Sequence, residues 1–557
     1  MERAHRQQGP ARMSGAGLRF GVACAGPAVE RVYSIAVEKL VAVEGVEPVL
    51  TIAAVEEKKP AAPPALLARL FPPERVPCRQ MTALPEKLAA APCVSSTDRA
   101  AIPGDLDFIL DFTAGGLDCT LAGIPRYGVW RLRFGEHPEG QPFFEELHSG
   151  STIAMSRLQA TGGGAPLVLE TAAVNTVPWS WLETMETAML AGAELPAMAC
   201  KRLLGGGDEY FRNAGAKTPA PLSGGSAWDR NSKPIGGGTA LAFSGKVLAA
   251  WAASQAGAIF RFEMWDVGVV AAPIARFLEP GFRPQVSWMP RPEGLRFVAD
   301  PFGFAAGDAL TLLMEEFDYR RYQGYITAVE FRDGKFSTPR VAIDERVHMS
   351  YPFPLFHHGE RYCIPESRRS REVAVYRYGN GAWERVRTII RDFAALDSTV
   401  IQHEGRWWLF CTDTFDYPEA KLYIWFADDL LGEWQPHPLN PVKCDVRSSR
   451  PGGTPFWHQG RLYRPAQDSS RSYGGGLTIN RVLRLTTEDF AEEPVVSIAP
   501  LPARPHGIHT LSAAGEYTLV DGKRMEFTPP LMRKRLLHKV KRIGQVLTGQ
   551  APPPATE

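Results

Sequence analysis

A chain of 557 residues exceeds what one hydrophobic core serves, so two or more domains are expected. Its 45% apolar and 22% charged residues are ordinary for globular protein, and 62 basic against 61 acidic side chains exclude a global field toward nucleic acid. Eight scattered cysteines, with no C-x-x-C pair and no histidine at zinc-ligand spacing, predict reduced thiols and no metal; with no G-x-G-x-x-G or P-loop motif, no cofactor is expected.

Residues 1–17 lack the apolar run of a signal peptide and are expected to be disordered. No later run reaches about 18 apolar residues, so a cytoplasmic protein is predicted. Residues 18–203 alternate strand and helix: "LRFGVACAG", the helical period of "AVERVYSIAVEKLVAVEGV", "EPVLTIAAV" and the buried strand "LDFILDFTAG" predict an α/β sheet. Residues 204–262 read as a glycine-rich linker to 238 and a helix at 239–260. From 263 to 524 the texture changes to short aromatic and β-branched runs broken by Gly, Pro, Asn and Asp, which is all-β.

Within that stretch one hairpin recurs, around Gly307, Gly359, Gly405, Gly460 and, more weakly, Gly515, at spacings of 52, 46, 55 and 55 residues. A period near 50 with several short strands per unit is the mark of a β-propeller, because one blade cannot bury both faces alone. Five blades are predicted. The last segment, 525–557, holds "LMRKRLLHKVKRIGQVL", a basic amphipathic helix at 531–547 followed by a disordered tail. Such a helix suits the anionic inner face of a membrane or a docked terminal position, and both readings stay open.

Propeller topology brings repeat starts and ends together at one mouth of the channel. Asp300, Glu366 and Asp397 are therefore the candidate catalytic carboxylates, because glycoside chemistry needs one protonated acid and one carboxylate base or nucleophile. Glu315, His348, Tyr351, Asp445, Arg447, Arg450, Arg464, Gln467, Asp468, Tyr473 and His509 are the candidate substrate-binding residues. The arginine forks point to an anionic sugar or sugar phosphate. Turn capping by the carboxylates and inter-blade ion pairing by the arginines are the competing structural roles.

"ADPFGF", "LMEE" and the five-fold hairpin series resemble the propellers of glycoside hydrolase families 43 and 32. That resemblance implies Asp300 as base or nucleophile, with Glu366 or Asp397 as acid. "HMSYPFPLF", "CIPES", "WFADDLLGEWQPHPLNPVKCDVRSSRPGG" and "LYRPAQDSSRSYGGG" resemble the N-terminal propeller of the glucosamine inositolphosphorylceramide transferases, in which a separate domain makes the glycosidic bond. The α/β stretch, with "IPRYGVWRLRFGEHPEGQPFFEELHSGSTIAMSRLQATGGG", resembles the Rossmann-type formyltransferase fold, but Arg131, Arg133 and Thr161 stand where its Asn, His and Asp are expected. No formyl transfer is expected, since no group remains to act as general base.

The expected molecule is thus a degenerate formyltransferase-like α/β domain followed by a five-bladed propeller. It is expected to recognise a glycan, sugar phosphate or glycolipid precursor in polysaccharide or glycolipid biosynthesis, alongside a glycosyltransferase partner and without nucleic acid. The alternative is an active glycoside hydrolase or transglycosidase.

Overall fold

The computed structural model describes residues 17–54, 64–113, 116–117, 121–136, 141–162, 165–216, 235–306 and 309–537. The expectations for residues 1–16, for 217–234 of the linker and for the tail beyond 537 lie outside the described residues. The chain forms two compact units.

The first unit is built on a seven-stranded sheet. Its strand order is Cys93–Ser95, Val46–Ala53, Leu18–Cys24, Phe108–Asp111, Val129–Phe134, Ile153–Thr161, Leu167–Asn175. The first five strands run parallel, and Ile153–Thr161 is antiparallel to its neighbour Val129–Phe134. Leu18–Cys24 and Phe108–Asp111 are buried nearly throughout, as central strands of a parallel sheet must be. Phe20, Phe108 and Trp130 stack across three adjacent strands.

One difference from the sequence reading concerns residues 204–216, predicted to be linker. They continue the helix Leu195–Ala216 through "GGGDE", with a kink where Gly207 takes φ 53°. Glycine lowers helix propensity, but tertiary anchors override it here. Asp208 accepts hydrogen bonds from Arg126 and Tyr127, and the Tyr210 hydroxyl donates to Glu170.

The second unit contains a five-bladed β-propeller. Blade one comprises Arg296–Ala306, Ala309–Asp318, Gln323–Arg332 and the outer pieces Lys335–Phe336 and Arg340–Ile343. Blade two is Ser350–His357, Glu360–Glu366, Glu372–Gly379 and Ala382–Arg391; blade three is Ala395–His403, Arg406–Asp413 and Lys421–Ala427 with two short outer strands. Blade four is Phe456–His458, Arg461–Gln467, Leu477–Leu485 and Phe490–Ile498. Blade five takes its inner strands, Leu511–Ala514 and Tyr517–Glu526, from one end of the propeller segment and its outer strands, Phe262–Val270 and Val286–Trp288, from the other. Nine residue pairs from Phe262↔Glu526 to Val270↔Thr518 close the ring.

Each junction between neighbouring blades holds its own apolar cluster. Phe304, Cys363 and Tyr376 join blades one and two; Tyr362, Leu409 and Cys411 join two and three; Phe410, Leu462 and Phe490 join three and four. Tyr463, Leu477 and Val520 join four and five, and Val298, Leu312 and Leu519 join five and one. This sharing of faces is why no blade is stable alone.

Candidate functional site

The site begins with a repeated backbone irregularity. The innermost strands of blades one, two and three each lose register at the same point, between Ala299 and Phe302, Ser350 and Phe353, and Leu396 and Thr399. At these bulges Asp300, Tyr351 and Asp397 adopt left-handed backbone angles, with φ of 50°, 43° and 53°. Non-glycine residues pay about 1–3 kcal/mol for such angles, and the surrounding structure must hold them there. A bulge also turns its side chain out of the strand's alternation and leaves an N–H without a ladder partner.

The carboxylates take up those N–H groups. Asp300 Oδ2 accepts from the Tyr351 N–H at 3.2 Å, and Glu366 Oε2 accepts from the Asp397 N–H at 3.1 Å. Asp397 Oδ2 receives Arg450 Nε at 2.5 Å and Gln467 Nε2 at 2.7 Å. The other arm of Arg450 donates to Glu419 Oε1 at 2.7 Å, and Ser469 donates to Glu419 Oε2 at 2.8 Å. From blade five, Thr510 Oγ1 donates to Asp300 Oδ1 at 3.1 Å, and His509 Nε2 lies 3.6 Å from the same oxygen. His509 Nδ1 pairs with Asp521, whose Oδ1 also accepts the N–H groups of His509 and Thr510. The His509 ring is stacked on Trp265 at 3.9 Å.

Capping and convergence are therefore both realised. Both oxygens of Asp300 and one oxygen each of Glu366 and Asp397 secure neighbouring blades, while Glu366 Oε1 and Asp397 Oδ1 make no hydrogen bond to the protein among the described residues. Asp300, Glu366 and Asp397 are only 6%, 5% and 3% exposed, so they form a floor rather than a rim. Tyr473, 40% exposed, stands beside Arg450 and edge-on to His509.

Electrostatics separates the acids. Burial, reinforced by the Asp397 charge and only partly offset by Arg450, pushes Glu366 up to about 8. Burial also raises Asp300, to about 6, because the neighbouring His509 cation opposes the rise. Burial disfavours the His509 imidazolium, but Asp521 and Asp300 outweigh it and raise its pKa. Burial therefore favours the protonated form of Glu366 more strongly than that of Asp300, the direction of split that acid–base chemistry on a glycosidic bond requires.

Of the predicted residues, Asp300, Glu366, Asp397, Arg450, Gln467 and His509 meet in this network. Several others do not. Tyr351 is fully buried: its hydroxyl bonds to Thr399 at 2.8 Å and accepts the Gly453 N–H at 2.8 Å, so it fastens blades and offers no face to a sugar. Arg464 lies inside blade four, bonded to Glu492 and to the carbonyls of Ser448 and Ser449, and Arg447 folds back onto Asp445. Asp468 accepts the N–H of Ser470 in its own turn. Glu315 and His348 form a separate pair between blades one and two, at 3.8 Å. Arg447, Arg450 and Arg464 are all engaged by carboxylates of the protein, so none of these three offers a ready fork for an anion.

Sequence reasoning missed Asp521, Glu419 and Thr510. Asp521 could have been found, because it follows Gly515 of the weak fifth repeat at nearly the distance at which Glu366 follows Gly359 in the second. Glu419 lies in an irregular loop between two strands of blade three and carries no repeat signal.

Fold and site define a five-bladed propeller whose inner strands bring a buried carboxylate network together. Residues 284–504 match a family model described as the N-terminal region of glucosamine inositolphosphorylceramide transferase 1. The chain is 35% identical over 207 residues to the glucosamine inositolphosphorylceramide transferase 1 of Oryza sativa subsp. japonica, covering 36% of this chain and 28% of that protein. It is 34% identical over 208 residues to the Arabidopsis thaliana protein of that name, covering 36% and 27%. The chain thus spans little more than a quarter of the length of these relatives. Among solved structures, a family 117 glycoside hydrolase of Zobellia galactanivorans aligns with TM-score 0.32 and 13% identity, over 48% of this chain and 91% of its own. An α-L-arabinofuranosidase of Podospora anserina aligns with TM-score 0.32 and 9% identity, over 42% and 93%.

Proposed function

We propose that the propeller channel recognises a carbohydrate during the assembly of a glycan or glycolipid. The observation that carries this reading is the convergence of Asp300, Glu366, Asp397 and Arg450 from four blades on one buried network. Glu366 Oε1 and Asp397 Oδ1, which take no hydrogen bond from the protein among the described residues, would accept hydrogen bonds from sugar hydroxyls, and the names of the matched relatives support a carbohydrate ligand. Hydroxyl groups suit this floor better than phosphate, since an anion would have to draw Arg450 away from Asp397 and Glu419. Calorimetric titration with matched neutral and phosphorylated sugars tests the preference; tighter binding of the phosphorylated member would reverse it.

A second reading, hydrolysis or transglycosylation, is favoured by the raised Glu366 pKa. Glu366 would act as acid and Asp300 as base or nucleophile; Asp397, already receiving Arg450 and Gln467, would hold Glu366 in place through its N–H. A panel of aryl glycosides separates the readings. Turnover abolished in both Asp300→Asn and Glu366→Gln, with binding kept, supports the enzyme. Binding without turnover in any of the proteins supports recognition alone.

The remaining assignments extend this proposal. The α/β unit is read as a formyltransferase-like scaffold without formyl transfer; Arg131, at the expected Asn position, lies 3.8 Å from Asp111 through its Nε. Detectable use of a formyl-folate donor would refute that. A cytoplasmic setting with a glycosyltransferase partner fits a module that binds what another protein transfers. Membrane contact through 531–547 is retained for its exposed part. Leu531 is buried beside Phe262 and Tyr319, and Arg535 donates to the carbonyls of Ala258 and Arg261, so the helix starts docked. Leu537, Phe527 and Phe260 remain exposed beside it, and Leu248 and Trp251 are exposed on the helix Gly237–Phe260. Co-sedimentation with anionic vesicles, reduced in Leu537→Glu, is the expected result.

A further inference from the structure

Two histidines and an aspartate lie at the end of the blade-two inner strand opposite the carboxylate floor. Tyr351 stands near the start of Ser350–His357 and His357 at its end, so the two clusters are separated by about 20 Å of strand. His357 ends the strand, and His358 opens its tight turn with φ 49°, followed by Gly359 with φ 79°. Two successive left-handed residues make the type I′ turn that matches strand twist. The turn brings the two rings side by side, with centroids 4.0 Å apart and planes at 47°.

The third group comes from the next blade. Asp429 follows the blade-three strand Lys421–Ala427, and its Oδ2 lies 3.4 Å from His357 Nε2. One ligand atom from each of His357, His358 and Asp429 lies within 4.8 Å of the other two. The arrangement is held from behind. Asp429 Oδ1 accepts the Leu431 N–H at 2.9 Å, which fixes the carboxylate, and the His357 ring meets Trp407 and Tyr362 edge-on. Such outer contacts orient metal ligands and are as important as the ligands themselves.

We propose that His357, His358 and Asp429 form a binding site for a divalent transition metal of the zinc type. Bonds of about 2.0 Å at tetrahedral angles place ligand atoms about 3.3 Å apart, close to the observed nitrogen–oxygen separation. Two imidazoles with one carboxylate select a borderline ion over Mg²⁺ or Ca²⁺, which prefer all-oxygen sets. Water completes the fourth position. Because the ligands come from two blades, the ion clips the blade-two hairpin to blade three, and binding raises the unfolding temperature of the full chain.

Equilibrium dialysis of the full chain against Zn²⁺, repeated with Mg²⁺, tests the site. His358→Ala and Asp429→Asn, both on the surface, are expected to weaken one equivalent of Zn²⁺ binding by tenfold or more. They are also expected to remove the Zn²⁺-dependent rise in melting temperature, while leaving the metal-free melting temperature unchanged. The buried Asp300, His509 and Asp521 offer a rival triad, so His509→Ala is measured in parallel. Zn²⁺ binding lost only in His509→Ala, equal in all proteins, or absent from the wild type would each overturn the proposal.

Discussion

At Tyr351 an aromatic side chain occupies a left-handed backbone position, φ 43°, at the blade-two bulge. Burial of the ring against Phe302 and the hydroxyl contacts to Thr399 and Gly453 are what hold it there. Tyr351→Phe keeps the ring but leaves the buried Gly453 N–H unpaired. A loss of about 1–3 kcal/mol is expected, read as a lower denaturation midpoint at unchanged slope. Glu366 gives a pH-dependent prediction. Its native pKa of about 8 lies above the ordinary carboxylate value, so the folded state binds the extra proton and stability falls as pH rises toward 8. Glu366→Gln removes that dependence and is expected to be more stable than wild type at alkaline pH, by about a few kcal/mol. If catalysis occurs, its rate should peak near neutrality, between the Asp300 and Glu366 pKa values, and fall on both sides, on the acid side with protonation of Asp300 and on the alkaline side with ionisation of Glu366. The equivalence of Asp300, Tyr351 and Asp397 was legible from repeat spacing. That Tyr351 is fully buried, with its hydroxyl tied to Thr399 of blade three and to Gly453 beside blade four, was not, because the spacing locates a residue without the direction its bulge imposes.

Among the elements, the blade-four strand Arg461–Gln467 shows what the sequence already contained and what it hid. Arg464 and Gln467 are three residues apart on one strand, so their side chains leave opposite faces. Both could not line the channel, and alternation alone could have divided them. Gln467 reaches Asp397, whereas Arg464 is sealed with Glu492, which also receives Lys443 Nζ at 2.8 Å. That partner lies in the outermost strand, and no sequence period announces it. Glu492→Gln strands two cations and is expected to cost about 3–5 kcal/mol, measured by chemical denaturation, while leaving sugar binding unchanged at temperatures where the variant is folded. Reduced binding at full folding would return Arg464 to the site. The helix Leu195–Ala216 teaches a related lesson: its glycines read as linker because the anchors of Asp208 and Tyr210 come from distant strands.

Over the whole molecule, ring closure links the two ends of the propeller segment. The fifth repeat looked weak in sequence because only its two inner strands follow the others; its outer strands precede blade one by position in the chain. Hairpin spacing therefore counted five blades correctly but could not show where the fifth is completed. A chain ended after Ala514 lacks Tyr517–Glu526, the strand that pairs with both Leu511–Ala514 and Phe262–Val270. It is expected to lose cooperative unfolding of the propeller, seen by circular dichroism, and not merely the fifth blade. The central claim concerns the channel that closure creates. Its most direct test is a glycan array read with the wild-type protein, Asp397→Asn and Trp457→Ala, the last a control on an exposed aromatic outside the carboxylate network. The account predicts a defined set of glycans bound by wild type, weakened at least tenfold in Asp397→Asn and retained in Trp457→Ala. Equal binding by wild type and Asp397→Asn, or no glycan bound by the wild type, would contradict it.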